Sequence, residues 1–346
     1  TAPQLLAWHV LHDVRPVSNP IALAQTVKHV AGPISAVTRT GPLDEKVGAV
    51  DQFWVAPGQQ ISATLVYITP HVYDYVEDGI QVDQSALKAS ADRFESSILV
   101  VDHRYFGTEW TPGVDDDPHI TLLNATDLPG DRNGTFASIN AYPQQVYAAS
   151  NQREMIMLHL GADYLTPNTD GYDETLAHEL ERMIQWHMRP GDPTWLREGA
   201  AMLAQHINGF DVAMTDTAFL AAPGIQLNTW PTREGAPANY GAAFLFMDYF
   251  AEHYGGYPVL LQLMQDPAQA PLNFNDVLAA HGYADRFDDV FAKWVMANAL
   301  NDVPQSSSSA YVYKTITNEH ATPQHLVTAL PFHDQDSAPQ YSAQYY

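Results

Sequence analysis

The sequence predicts an α+β protein: a β-rich N-terminal region, then a mixed sheet with helices. Three observations carry this reading. Residues 61–68 alternate with a period of two, which puts Ile61, Ala63, Leu65 and Tyr67 on one face of a strand. Beyond residue 170 the apolar spacing turns helical and stays so to residue 300. With 346 residues and 46% apolar composition, the chain has length for about two domains of ~150 residues.

Taken in order, Phe53-Trp54-Val55 reads as a strand closed by the turn pair Pro57-Gly58, and residues 1–72 are expected to be mostly β. Asp83 is placed to cap a helix in which Leu87, Ala91, Phe94 and Ile98 recur at helical spacing. The run Ile98-Leu99-Val100-Val101 predicts a strand buried on both faces, and residues 120–123 predict another. Between them, Gly113-Val114-Asp115-Asp116-Asp117 reads as a solvated acidic loop whose spacing matches no EF-hand. Helices are expected over 174–188, 194–208, 240–254, 274–281 and 287–300, the third stopped by Gly255-Gly256. Ser306 to Ser309 reads as a flexible joint, and the tail beyond it as a strand packing back or the start of a further module. The boundaries are therefore 1–72 for the β-rich region, 73–302 for the main domain, and 303–346 for linker and tail.

Composition removes whole classes of function. Sixteen Lys and Arg against 40 Asp and Glu give a net charge of −24, which repels phosphate backbones and anionic lipid. Nucleic acid is excluded as a partner on this ground. Zero cysteines remove disulfides, thiolate nucleophiles, iron–sulfur clusters and Cys-ligated zinc. The longest clean apolar run, residues 242–247, is far short of the ~20 residues a membrane span needs. The opening Thr1-Ala2-Pro3 is what remains when an export signal has been removed, so a secreted, extracellular location is expected. There is no Gly-x-Ser-x-Gly elbow and no phosphate-cradling glycine loop.

The informative stretch is Glu174-Thr175-Leu176-Ala177-His178-Glu179-Leu180-Glu181-Arg182-Met183-Ile184-Gln185-Trp186-His187. Leu176, Leu180, Met183, Ile184 and His187 form an apolar stripe at helical spacing. His178 and Arg182 lie one turn apart on the opposite side, with Glu179 beside them. Pro190-Gly191-Asp192-Pro193 makes a tight turn, with Asp192 expected as N-cap of the next helix and Pro193 at its first position. Two helices joined so closely are antiparallel neighbours, which swings Glu198 back toward His178 and Glu179.

In a zinc peptidase helix of the form His-Glu-x-x-His, two histidines one turn apart reach the metal and the Glu polarises its water. Here the second histidine position holds Arg182, which has no lone pair to offer a metal.

Further blocks extend the pattern from residue 53 to residue 302. They are Tyr67-Ile68-Thr69-Pro70-His71, Phe106-Gly107-Thr108-Glu109-Trp110-Thr111-Pro112-Gly113-Val114, and Thr194-Trp195-Leu196-Arg197-Glu198-Gly199-Ala200. Gln226-Leu227-Asn228-Thr229-Trp230-Pro231 and Tyr240-Gly241-Ala242-Ala243-Phe244-Leu245-Phe246 follow in order. With the His178-Glu179 helix, these resemble the secreted, zincin-type metallopeptidase-like proteins of bacteria, grouped with gluzincin and immune-inhibitor-A-like peptidases. The resemblance implies a zincin-like metallopeptidase fold over 73–302, zinc ligation by His178 and Glu198, and Glu179 as general base. It also implies a His where Asn239 stands. Tyr240 reads either as a transition-state hydrogen-bond donor or as an ordinary buried tyrosine.

The departure at Arg182 sets the expectation for function. A guanidinium between Glu179 and Glu198 supplies positive charge and paired hydrogen bonds where the metal would have been. The sequence therefore points to a pseudo-peptidase with no cofactor, whose use is binding a protein partner or self-association outside the cell. An active zinc endopeptidase and a structural subunit of an extracellular filament or surface layer are the alternatives. Glu181, three residues after His178, is a fallback ligand for an active site, though it points away from Glu179. His187 reads as a core or helix-end histidine, His206 as packing, and the His9/His12 pair as surface. Asn124 and Asn133 head sequons.

Overall fold

The computed structural model describes residues 18–346 except 31, 127, 130, 131, 162, 163, 232–236, 302–309, 318, 319, 334 and 336. His9, His12, the Thr1-Ala2-Pro3 opening and the 306–309 joint lie outside the described residues.

The chain is α+β, with a six-stranded mixed sheet in the order β1-β2-β3-β4-β6-β5. Strands β1 (Val50–Ala56), β2 (Gln59–Ile68) and β3 (Val72–Glu77) run as an antiparallel meander. β4 (Ile120–Ala125) and β6 (Met155–His159) are parallel additions, and the three-residue β5 (Gly134–Phe136) closes the edge antiparallel to β6. The sheet thus takes strands from both sides of residue 72. Residues 18–49 correct the β expectation, because they open with helix α1 (Pro20–Val27) and, among the described residues, the first strand begins at Val50.

Central strands bury both faces. On β3, Val72 and Val76 join the core against the helices, while Tyr73 and Tyr75 pack with Phe53, Ile61, Ala63 and Leu65 on the other side. The predicted β2 face is present as far as Leu65, where a register shift before Tyr67 leaves that ring only half-buried.

Asp83 caps helix α2 (Gln84–Arg93) as expected, its carboxylate accepting from the Ser85 and Ala86 amides. The predicted strand at 98–101 is absent. A π-helical turn, Phe94–Ile98, leads directly into helix α3 (Leu99–Phe106). The turn re-phases the helix so that Leu99, Asp102 and Phe106 face inward while Val100 is 57% exposed. Tertiary packing of that stripe overrides the β-branched composition that suggested a strand. The acidic loop is corrected too: Asp115 and Asp117 are buried, and Asp117 accepts from the Leu43 amide and holds His119.

The remaining elements are α4 (Asp170–Met188), α5 (Thr194–Ile207), α6 (Ala213–Ala221), α7 (Pro237–His253), α8 (Pro258–Gln265), α9 (Leu272–Ala280) and α10 (Phe287–Leu300). Leu176, Leu180, Met183 and Ile184 of the α4 stripe are fully buried, while His187 at its end is exposed. Two glycines let helices approach. A Cβ on Gly199 would lie 2.8 Å from the Ala243 carbonyl oxygen, and one on Gly241 would collide with the Thr215 carbonyl. α7 is thereby clamped between α5 and α6. The described tail packs back without a strand: Thr322 donates to Leu220, Leu227 donates to Tyr341, and Tyr345 is buried. Among the described residues no helix is long and apolar enough to cross a membrane.

Candidate functional site

Helix α4 carries the motif, and the turn after it aims the second helix. Asp192 does not cap α5, whose N-cap is Pro193 with no side-chain cap. Instead Asp192 is buried and grips Arg189 in a fork, with Nε to Oδ2 at 2.9 Å and Nη2 to Oδ1 at 2.7 Å. Gln185 Nε2 donates to the same carboxylate at 3.0 Å. Three side chains thus fix the angle between α4 and α5, and that angle brings Glu198 over α4.

The result is a cleft of about 720 Å³ between α4, α5, the start of α7, the edge strand β5 and the Trp230-Pro231 segment. His178, Glu179, Arg182, Glu198 and Tyr240 all line it. Arg182 stands between two acids: Nη1 donates to Glu179 Oε2 at 3.1 Å, and Nε lies 3.7 Å from Glu198 Oε1. His178 Nε2 lies 3.3 Å from Glu198 Oε2, and its Nδ1 faces Gln205 Oε1 at 3.4 Å. Glu179 has a further partner, the backbone amide of Phe136 on β5, which donates to Oε2 at 2.7 Å.

These contacts set the charge states. Burial alone raises a carboxyl, but the His178 hydrogen bond and the Arg182 charge outweigh it and hold Glu198 below the usual range. Burial likewise works against the Arg182 cation, yet Glu179 and Glu198 more than compensate and keep it firmly protonated. Tyr240 is pushed up to about 12 by burial and by the nearby Glu198. Its ring meets Trp230 edge-on at 4.9 Å.

The donor set does not fit a zinc ion. Zinc needs lone pairs from several ligands, and the position one turn from His178 offers a permanently cationic group bonded to the acids. Asn239 donates to the Thr229 carbonyl at 3.3 Å. Glu181 points into the core and does not line the cleft. His206 packs against Phe244 at 5.4 Å. Asn124 is fully buried, donating to Asp74 and accepting from Tyr172, which leaves no exposed amide for a glycan. Among the described residues no group of three or more His, Asp or Glu side chains is arranged to hold a metal ion.

The cleft also uses residues that motif reading missed. Gln205 lies two turns after Glu198 on the same face of α5, a spacing the sequence does show. Arg132, Asn133 and Gly134 enter through the edge strand, where a Cβ on Gly134 would collide with Thr175. No local pattern announces them. Compared with protein-family models and with curated proteins, the chain matches none.

Proposed function

We propose that this chain is an exported protein of zincin-like fold whose cleft binds a peptide or protein partner and does not hydrolyse it. The observation that carries the reading is Arg182, placed 3.1 Å from Glu179 and 3.7 Å from Glu198. A base that activates water needs a lone pair free for that water. The best-bonded oxygen of Glu179 already accepts from Phe136 and from Arg182. Support for the fold comes from the order of parts: a mixed sheet ending in a short antiparallel edge strand, then the His178-Glu179 helix, then the Glu198 helix.

The cleft keeps what binding needs. It has volume, an aromatic wall at Trp230 and Tyr240, and charges of both signs held in place. The test is a fluorogenic peptide library incubated with the purified chain and added zinc, with fluorescence anisotropy read on the same peptides. Retention of some peptides without cleavage is the expected result. Turnover that a chelator abolishes would overturn the reading.

A further inference from the structure

Helix α5 brings a basic side chain to the cleft that holds no acid. Thr194, Arg197 and Glu198 stand at positions i, i+3 and i+4 of one helical face, and all three line the cleft. Arg197 Nη2 donates to the Thr194 hydroxyl at 3.2 Å, which tethers the partly buried guanidinium. Its Nε is sealed from solvent without a partner. Among the described residues no carboxylate pairs with it.

Other arginines of this chain are matched from within. Arg189 grips Asp192 at 2.7 Å, Arg93 reaches Asp173 at 3.0 Å, Arg153 reaches Glu45 at 3.0 Å, and Arg182 reaches Glu179 at 3.1 Å. With 40 acidic residues against 16 basic ones, a carboxylate is easily found. Arg197 goes without one although Glu198 is the next residue, because Glu198 is turned to His178 at 3.3 Å and to Arg182 at 3.7 Å. A guanidinium presents five N–H donors in a plane, and one hydroxyl takes a single one of them. Donors left over on a tethered, planar cation suit a carboxylate, which accepts two parallel bonds from such a fork.

The acids of the cleft limit the charge it can admit. Glu174, Glu179 and Glu198 line it, and Arg182 is already shared between the last two. A singly charged carboxylate matches Arg197, whereas a phosphate monoester brings about two negative charges at neutral pH into a space with three acids. The net charge of −24 repels anions at long range, so a preference for an acidic ligand has to arise from a local cation.

We propose that Arg197, steadied by Thr194, is the subsite of the cleft that takes a carboxylate of the bound peptide, either its free C-terminus or an Asp or Glu side chain. The proposal rests on the reading of the cleft as a peptide-binding site and adds the chemical class of what it selects.

Fluorescence anisotropy on the full chain tests it. Each peptide that the cleft retains is made in three forms with an uncharged N-terminal dye: a free C-terminal carboxylate, the C-terminal amide, and the amide with one internal Glu. The wild type is expected to hold one of the carboxylate forms about tenfold or more tighter than the neutral amide, and the tighter form names the source of the carboxylate. R197Q is expected to lose that preference while still holding the amide, and R197K to regain part of it. Equal affinity of the wild type for all three forms overturns the proposal and leaves the peptide-binding reading standing. A preference that survives in R197Q overturns it as well, by giving the carboxylate to Arg182 or Arg132. Tighter binding of a phosphoserine form than of the Glu form overturns the choice of carboxylate. Retention of no peptide at all overturns both readings. The comparison of peptide forms on the wild type needs no variant, so it decides the question should R197Q fail to fold.

Discussion

The amide of Phe136, on the sheet's edge strand, donates to the carboxylate of Glu179 at 2.7 Å. One bond ties the sheet to the helix that forms the floor of the cleft. It also occupies one oxygen, Oε2, of the acid that the motif would otherwise free for chemistry. The Phe136 amide is therefore expected to exchange slowly with solvent deuterium. Glu179→Ala, which removes the acceptor, is predicted to speed its exchange by about tenfold or more, equivalent to losing ~1.4 kcal/mol of protection. Glu179→Gln retains a carbonyl oxygen and should keep most of the protection.

Arg182 is predicted to be the costliest single residue of the cleft to remove. Arg182→Leu leaves Glu179 and Glu198 buried without their shared cation, at a cost of about 3 kcal/mol in denaturant unfolding. Combining it with Glu198→Gln should recover part of that loss. Additive losses would show that the guanidinium does not couple to Glu198.

The acid side of the stability curve should carry the signature of Glu198. Its folded-state value lies below the ordinary 4.5, so its contribution is present above that pH and is lost as pH falls through the lower folded value. Glu198→Gln is expected to flatten this acid-side decline while lowering stability at neutral pH.

Glu154 works in the opposite sense. Burial and the nearby Asp115 push it up to about 9 from 4.5, so the folded chain holds its proton through neutral pH. Its contribution is complete below 4.5 and is lost as pH rises toward 9. Glu154→Gln keeps an acceptor for the Val114 amide and should reduce the alkaline loss, measured by thermal unfolding across that window.

Gly241→Ala places a methyl group against the Thr215 carbonyl, where only backbone can yield. A loss of about 1–3 kcal/mol is expected, with α6 displaced from α7. Because Tyr240 precedes this glycine, peptide binding should weaken as well.

How much of this was legible in the sequence depends on range. The α4–α5 pair is long and strongly periodic, so its helices, its buried stripe and the approach of Glu198 follow from spacing alone. The placement of Arg182 between two acids follows from the same geometry. What failed was local reading against tertiary demand. Residues 98–101 look like a strand, but a π turn and the burial of Leu99 and Phe106 make them helix. Asp192 looks like a cap but is better bonded by Arg189 and Gln185. Asp115 and Asp117 look solvated because no local pattern shows that they are buried, with Asp117 accepting from the amide of the distant Leu43. The three residues of β5 carry no periodicity, so the sheet edge that walls the cleft could be seen only once β6 had paired with it.

The central claim is that a fixed side-chain cation takes the place of a metal ion, and zinc titration calorimetry on the wild type beside Arg182→His tests it most directly. The account predicts no zinc binding by the wild type and uptake of about one ion per chain by the variant, where an imidazole restores the missing lone pair. Tight zinc binding by the wild type, with no gain in the variant, would contradict it.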